Sequence, residues 1–175
     1  MRMSRFLSVF LLALLGGLAP AGAQQWIEHK PPGAGYRVEF PGTPEVETED
    51  MPSEYGPMRM STAEFIVKNE MMLMSSHTSL PAAAAGSDPK DVLDGARNGF
   101  VEQAKCKLRR ESRISIDGAP ARRLVMDCAD GEVVGIGVLA LNDNHLYSVM
   151  AAVPRGQENG ANAQRFLKSF AFVPR

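Results

Sequence analysis

Two cysteines flanking a turn signal constrain this chain more than any other feature. Cys106 and Cys128 enclose Ile116-Asp117-Gly118, with alternating apolar and polar residues on both sides. A three-residue hairpin loop places glycine at its left-handed last position, and Gly118 suits that role. With Ser115 set opposite Ala119, Cys106 falls opposite Cys128. The same register sets Leu108 against Met126, Ile114 against Pro120, Lys107 against Asp127 and Glu111 against Arg123. Apolar and opposite-charge partners meet in this way, which is how strand pairs gain stability. No Cys-x-x-Cys and no neighbouring histidine supports a redox or metal role, so a structural disulfide is expected. Closing this loop stabilises a fold by about 3 kcal/mol in the chain-entropy description.

A disulfide needs an oxidising compartment, and the start of the chain agrees. Arg2 and Arg5, the apolar run Phe6 to Leu18 and the small residues Ala21-Gly22-Ala23 read as a secretory signal over residues 1–23. Its loss leaves 152 residues, 24–175, with 17 basic and 20 acidic side chains, net −3. That length suits a single domain. At 45% apolar and 22% charged residues, the composition is that of a folded domain rather than a disordered segment. No cysteine follows the cleavage site, so no lipid anchor is expected. The longest later apolar run, Val133 to Leu141, is nine residues, so no membrane span is expected either. The expected location is the periplasm or the cell exterior.

Strand and helix signals alternate along the chain. Trp26 to His29 suggests a short first strand, and Tyr36-Arg37-Val38-Glu39-Phe40 has the alternation of a half-buried one. Glu45 to Tyr55 carries five acids and no base and reads as a solvated loop. Met60 to Val67 and Met71 to Thr78 read as paired strands, and Leu80 to Gly86 as a linker. Asp88 caps a helix with Pro89 at its first position, and Leu93, Ala96, Phe100 and Ala104 form its apolar face. A four-strand meander follows: Lys105 to Ile116, Ala119 to Ala129, Glu132 to Leu141 and His145 to Val153. Val133 to Leu139 is apolar on both faces, as a central covered strand is. Gly135 and Gly137 within it suggest close approach of a helix. A short helix over Gly160 to Lys168 and a last strand at Phe170-Ala171-Phe172 close the chain. The class is α+β, an antiparallel sheet packed by helices.

The segment Tyr36 to Pro44, the helix before the long meander and the ending Arg165 to Phe172 resemble secreted bacterial proteins of the PsbP-like superfamily. That superfamily includes an extrinsic photosystem II subunit and a eukaryotic nuclear-transport regulator. Pro44 and Glu45 stand where a tryptophan is usual. The resemblance implies an antiparallel sheet sandwiched by helices (an α/β/α sandwich) and used for binding rather than catalysis. It transfers no site residue.

Catalytic signals are sparse. His29, His77 and His145 form no H-x-x-x-H or H-E-x-x-H, and there is no G-x-S-x-G elbow. No catalytic residue is assigned. Methionine is the compositional oddity, with eight after the signal. Met58 and Met60 alternate on one strand and Met72 and Met74 on the next, with His77 close behind. Thioether and imidazole ligands suit Cu(I), while flexible packing is the plainer role for methionine. The third feature is basic. Lys105, Lys107, Arg109, Arg110, Arg113, Arg122 and Arg123 crowd the disulfide hairpin, and strand parity puts Lys105, Lys107, Arg109, Arg113 and Arg123 on one face. A solvated face balanced by Glu111 and Asp127 is the simple alternative. The expected function is a non-catalytic binding or accessory domain of the cell envelope. Lys107, Arg109, Arg113 and Arg123 would contact an envelope protein or anionic ligand, not nucleic acid. A Met-based copper protein (Met58, Met60, Met72, Met74, His77) and an enzyme assembled from scattered residues are the alternatives.

Overall fold

A computed structural model describes residues 25–51, 56–67, 70–84 and 86–174. The expected signal, residues 1–23, lies outside them. The strands are β1 (Ile27–His29), β2 (Tyr36–Phe40), β3 (Glu45–Met51), β4 (Met58–Val67) and β5 (Met71–Ser79). After helix α1 (Pro89–Gln103) come β6 (Lys107–Ile116), β7 (Ala119–Cys128), β8 (Val133–Asn142) and β9 (His145–Pro154). Helix α2 (Ala161–Ser169) and β10 (Ala171–Phe172) end the fold. Seven strands form one antiparallel sheet in the order β3-β4-β5-β9-β8-β7-β6, and β1, β2 and β10 form a smaller one.

Period-two alternation sorts the large sheet's side chains to two faces. Leu124, Met126, Leu139, Leu141 and Met150 meet Leu93, Ala96 and Phe100 of α1 on one face. Leu73, Val134, Ile136, Tyr147 and Val149 meet Ala163 and Phe166 of α2, with Tyr36, Val38 and Phe40 of β2, on the other. Each such side chain contributes about 1.5–3 kcal/mol when fully buried. β8 is buried along nearly all its length because both faces are covered and both edges are paired. Asp88 caps α1 by accepting from the Lys90 amide.

Three expectations need correction. The acidic segment after Pro44 is a strand, β3, paired with β4 from Glu45↔Glu64 to Met51↔Met58. It is an exposed edge, so its polarity is compatible with pairing on one side only. The notch left by Gly137 is filled by a neighbouring strand rather than a helix. A Cβ there would strike the Met150 sulfur and the Val149 carbonyl, and one on Gly135 would lie 3.0 Å from the Met126 methyl. The hairpin register is the third. Asp117 (φ 50°) and Gly118 (φ 85°) form a two-residue turn joining Ile116 to Ala119. Two left-handed residues give the twist that a tight hairpin needs. Ile114 therefore faces Ala121 and Glu111 faces Leu124. A β-bulge between Leu108 and Arg110 then restores Leu108↔Met126 and Lys107↔Asp127. The shorter turn and the extra residue compensate, so Cys106 and Cys128 still meet as a disulfide.

Candidate functional site

The bulge decides which cations share a face. One inserted residue reverses the alternation between Lys107 and Arg113. Arg113 pairs with Arg122 on the α1 side, whereas Arg110 pairs with Val125 on the α2 side. Lys107, paired with Asp127, and Arg123, two residues from Val125, also lie on the α2 side. The expected single face of Lys107, Arg109, Arg113 and Arg123 is thus corrected: Arg113 leaves it and Arg110 joins it.

Arg109, Arg110 and Arg123 line a groove of about 530 Å³ between this face and α2. Gln164, Leu167 and Lys168 of α2 form its far wall, Glu158 and Asn159 one end, and Val125, Ile136, Gly137 and Val138 its floor. Lys107 is exposed outside the groove. Arg109 is held: its guanidinium donates to Asp127, which also accepts from Arg155 at 2.8 Å, and it lies 3.9 Å from Glu158. The hydrogen bond from Arg109, aided by the charges of Arg109 and Arg155, keeps the Asp127 carboxyl below the usual carboxylate range. Arg110, Arg123 and Lys168 have no acidic partner among the described residues. The groove is therefore electropositive on two opposing walls.

On the opposite side of the hairpin Arg122 is neutralised, while the exposed Arg113 has no acidic partner among the described residues. Arg122 is 5% exposed and lies 3.1 Å from Glu111 and 3.6 Å from Asp94 of α1. Arg97 donates to Glu111 at 2.7 Å and to Asp94 at 3.3 Å. This four-membered network pins α1 on β6 and β7. Sequence reading missed it because its members come from three elements.

The expected copper ligands are dispersed. Met58, Met60, Met72 and Met74 all project to the α1 face, and the last three line a second groove of about 550 Å³ with Glu47, Glu49, Phe100 and Gln103. Register places Met60 level with Thr78, four residues from Met74, a span of about 13 Å along the strands. Met74 packs in the cluster around Met126 and Met150. His77 projects to the other face, where its Nε2 is 2.9 Å from His145 Nδ1 and its ring lies 5.3 Å from that of Tyr147. Ser79 Oγ is 3.3 Å from the same His145 nitrogen. His29 is packed edge-on against Phe40, and burial lowers its pKa. No group of three or more His, Cys, Asp or Glu side chains gathers as a ligand set among the described residues. No described helix is long and apolar enough to cross a membrane.

No protein-family model matches the chain, and no curated protein matches it. Similarity appears in three dimensions. The crystal structure of a Pseudomonas aeruginosa protein of unknown function covers 86% of this chain and 98% of its own at 13% identity, with a TM-score of 0.41. The solution structure of cyanobacterial PsbP (CyanoP) from Synechocystis sp. covers 91% of this chain and 99% of its own, at 13% identity and a TM-score of 0.59. At that identity the second likeness concerns the fold alone: this chain has a PsbP-like fold.

Proposed function

We propose that the protein is a non-catalytic binding or accessory domain of the cell envelope, exported to the periplasm or beyond, built as a helix–sheet–helix sandwich around its four-strand meander. The disulfide is in keeping with an oxidising compartment. One observation carries the reading: Arg110, Arg123 and Lys168 converge on one groove with no acidic partner among the described residues. Cations left without carboxylates, in a concavity with low-dielectric walls, attract and hold anionic groups. Guanidinium forks add geometric selectivity for carboxylate or phosphate. The partner is thus a protein or ligand that presents negative charge.

The test is recovery of bound partner from envelope extract by the purified protein and by an Arg110→Glu/Arg123→Glu variant. Loss of recovery with an unchanged melting temperature supports the surface. Equal recovery by both proteins removes it.

A further inference from the structure

The groove is charged at its walls and aliphatic at its floor, and this combination narrows the ligand. Resting on the binding reading above, we propose that the groove takes a single-chain amphiphilic anion, with a carboxylate or phosphate head and a flexible hydrocarbon body. Ile136 and Val138 lie on β8, which is paired on both edges, yet are each 8% exposed, whereas Val134 and Ala140 on the same face are fully covered. The opening therefore reaches the core at these two side chains. Leu167 extends the aliphatic floor onto α2.

The cations stand where a head group would sit. Arg110 and Arg123 approach from the sheet, and Lys168 from the helix beside Leu167. With Arg109 and the opposing Glu158, the lining carries a net charge of +3. A small inorganic anion would meet the cations and leave the aliphatic floor against water. A neutral hydrocarbon would fill the floor and leave the cations unused. A convex acidic protein surface would reach the rim but not the floor between strand and helix. A head group joined to a slender tail satisfies both parts. A volume of about 530 Å³ falls in the range of small-molecule sites.

The experiment is calorimetric titration of the purified, delipidated protein with octanoate, decanoate, laurate and dodecyl phosphate below their micellar concentrations. Acetate and inorganic phosphate serve as heads without tails, and dodecyltrimethylammonium as a tail with the wrong charge. Each methylene that reaches the floor should tighten binding roughly three- to fourfold, until the tail outruns the groove. Laurate against dodecyl phosphate shows which head is preferred. Arg110→Glu/Arg123→Glu should weaken the tailed anions at least about tenfold. Leu167→Ala should flatten the dependence on chain length. Three results would each overturn the proposal: no binding of any tailed anion, affinity independent of chain length, or equal binding of the cationic amphiphile. If tailed anions fail while envelope partner is still recovered in an Arg110- and Arg123-dependent way, the basic groove stands and its amphiphile falls. If both fail, both readings fall.

Discussion

β6 and β3 are the two edges of one sheet, and they are built in opposite ways. β6 carries Lys107, Arg109, Arg110 and Arg113 against Glu111, whereas β3 carries Glu45, Glu47, Glu49 and Asp50 and no base. Charge on an open edge discourages unwanted strand pairing, and both edges use it. Their support differs. β6 is bulged, tied to β7 beside the Cys106–Cys128 bridge and pinned to α1 through Glu111. Among the described residues β3 pairs only with β4, and its one charged clamp is the two-pronged contact from Arg59 to Asp50. The comparison teaches that charge alone does not make a site. The basic edge borders a groove whose walls are fixed by a disulfide, an ion network and a helix. The acidic edge borders the Met-lined face and has no comparable fixation among the described residues.

A clear break in this comparison should come from Arg122→Ala. It takes the buried cation of β7 away from Glu111 and Asp94, leaves them to Arg97, and should cost about 1.5–3 kcal/mol. A drop of about 3–12 °C in melting temperature reports it. Arg59→Ala, at the exposed clamp of the acidic edge, should leave the melting temperature unchanged. Equal effects at the two edges would contradict the difference in support.

Removing the disulfide with Cys106→Ala/Cys128→Ala should cost about 3 kcal/mol, measured by denaturant unfolding. Amide exchange should then quicken at the start of β6 and the end of β7, while β3 is unaffected. Gly137→Ala should cost about 1–3 kcal/mol through its clash with Met150 and the Val149 carbonyl. Gly99→Ala, where nothing crowds the new methyl, should be neutral or stabilising.

The smallest effect concerns pH. Arg109 lowers the Asp127 pKa in the folded state, and Arg59 lowers that of Asp50. A depressed carboxylate contributes stability that is complete above its unfolded value of about 3.9 and lost as pH falls through the folded value. Acidification below about pH 4 should therefore loosen both edge clamps. Asp127→Asn should abolish the share at β6 alone, seen as a flatter acid limb in the pH dependence of amide protection across β6 and β7.

Much of the fold was legible because local chemistry dictated it. Asp88-Pro89 set the start of α1, the apolar run from Val133 marked the covered strand, and Tyr36 to Phe40 alternated as a half-buried one. The disulfide was legible as an end-point of the hairpin, although the path between its ends was not. A turn one residue shorter and a bulge one residue longer produce the same cysteine pairing, so the end-point could not reveal either. That ambiguity moved Arg113 off the basic face and brought Arg110 onto it. Lys168 carried no signal at all, since only the seating of α2 sets it across from Arg123.

The sequence by itself determined where most of the strands and the first helix lie, which strand is covered on both faces and that the two cysteines meet. Those outcomes follow from backbone preference and from the period of apolar residues, both of which are local. Tertiary structure alone decided the functional geometry. It separated His77 from the methionines by strand parity, neutralised Arg122 with carboxylates from two other elements, and left Arg110, Arg123 and Lys168 around one groove. Charge compensation depends on distances between residues far apart in the chain, and no local pattern encodes those distances.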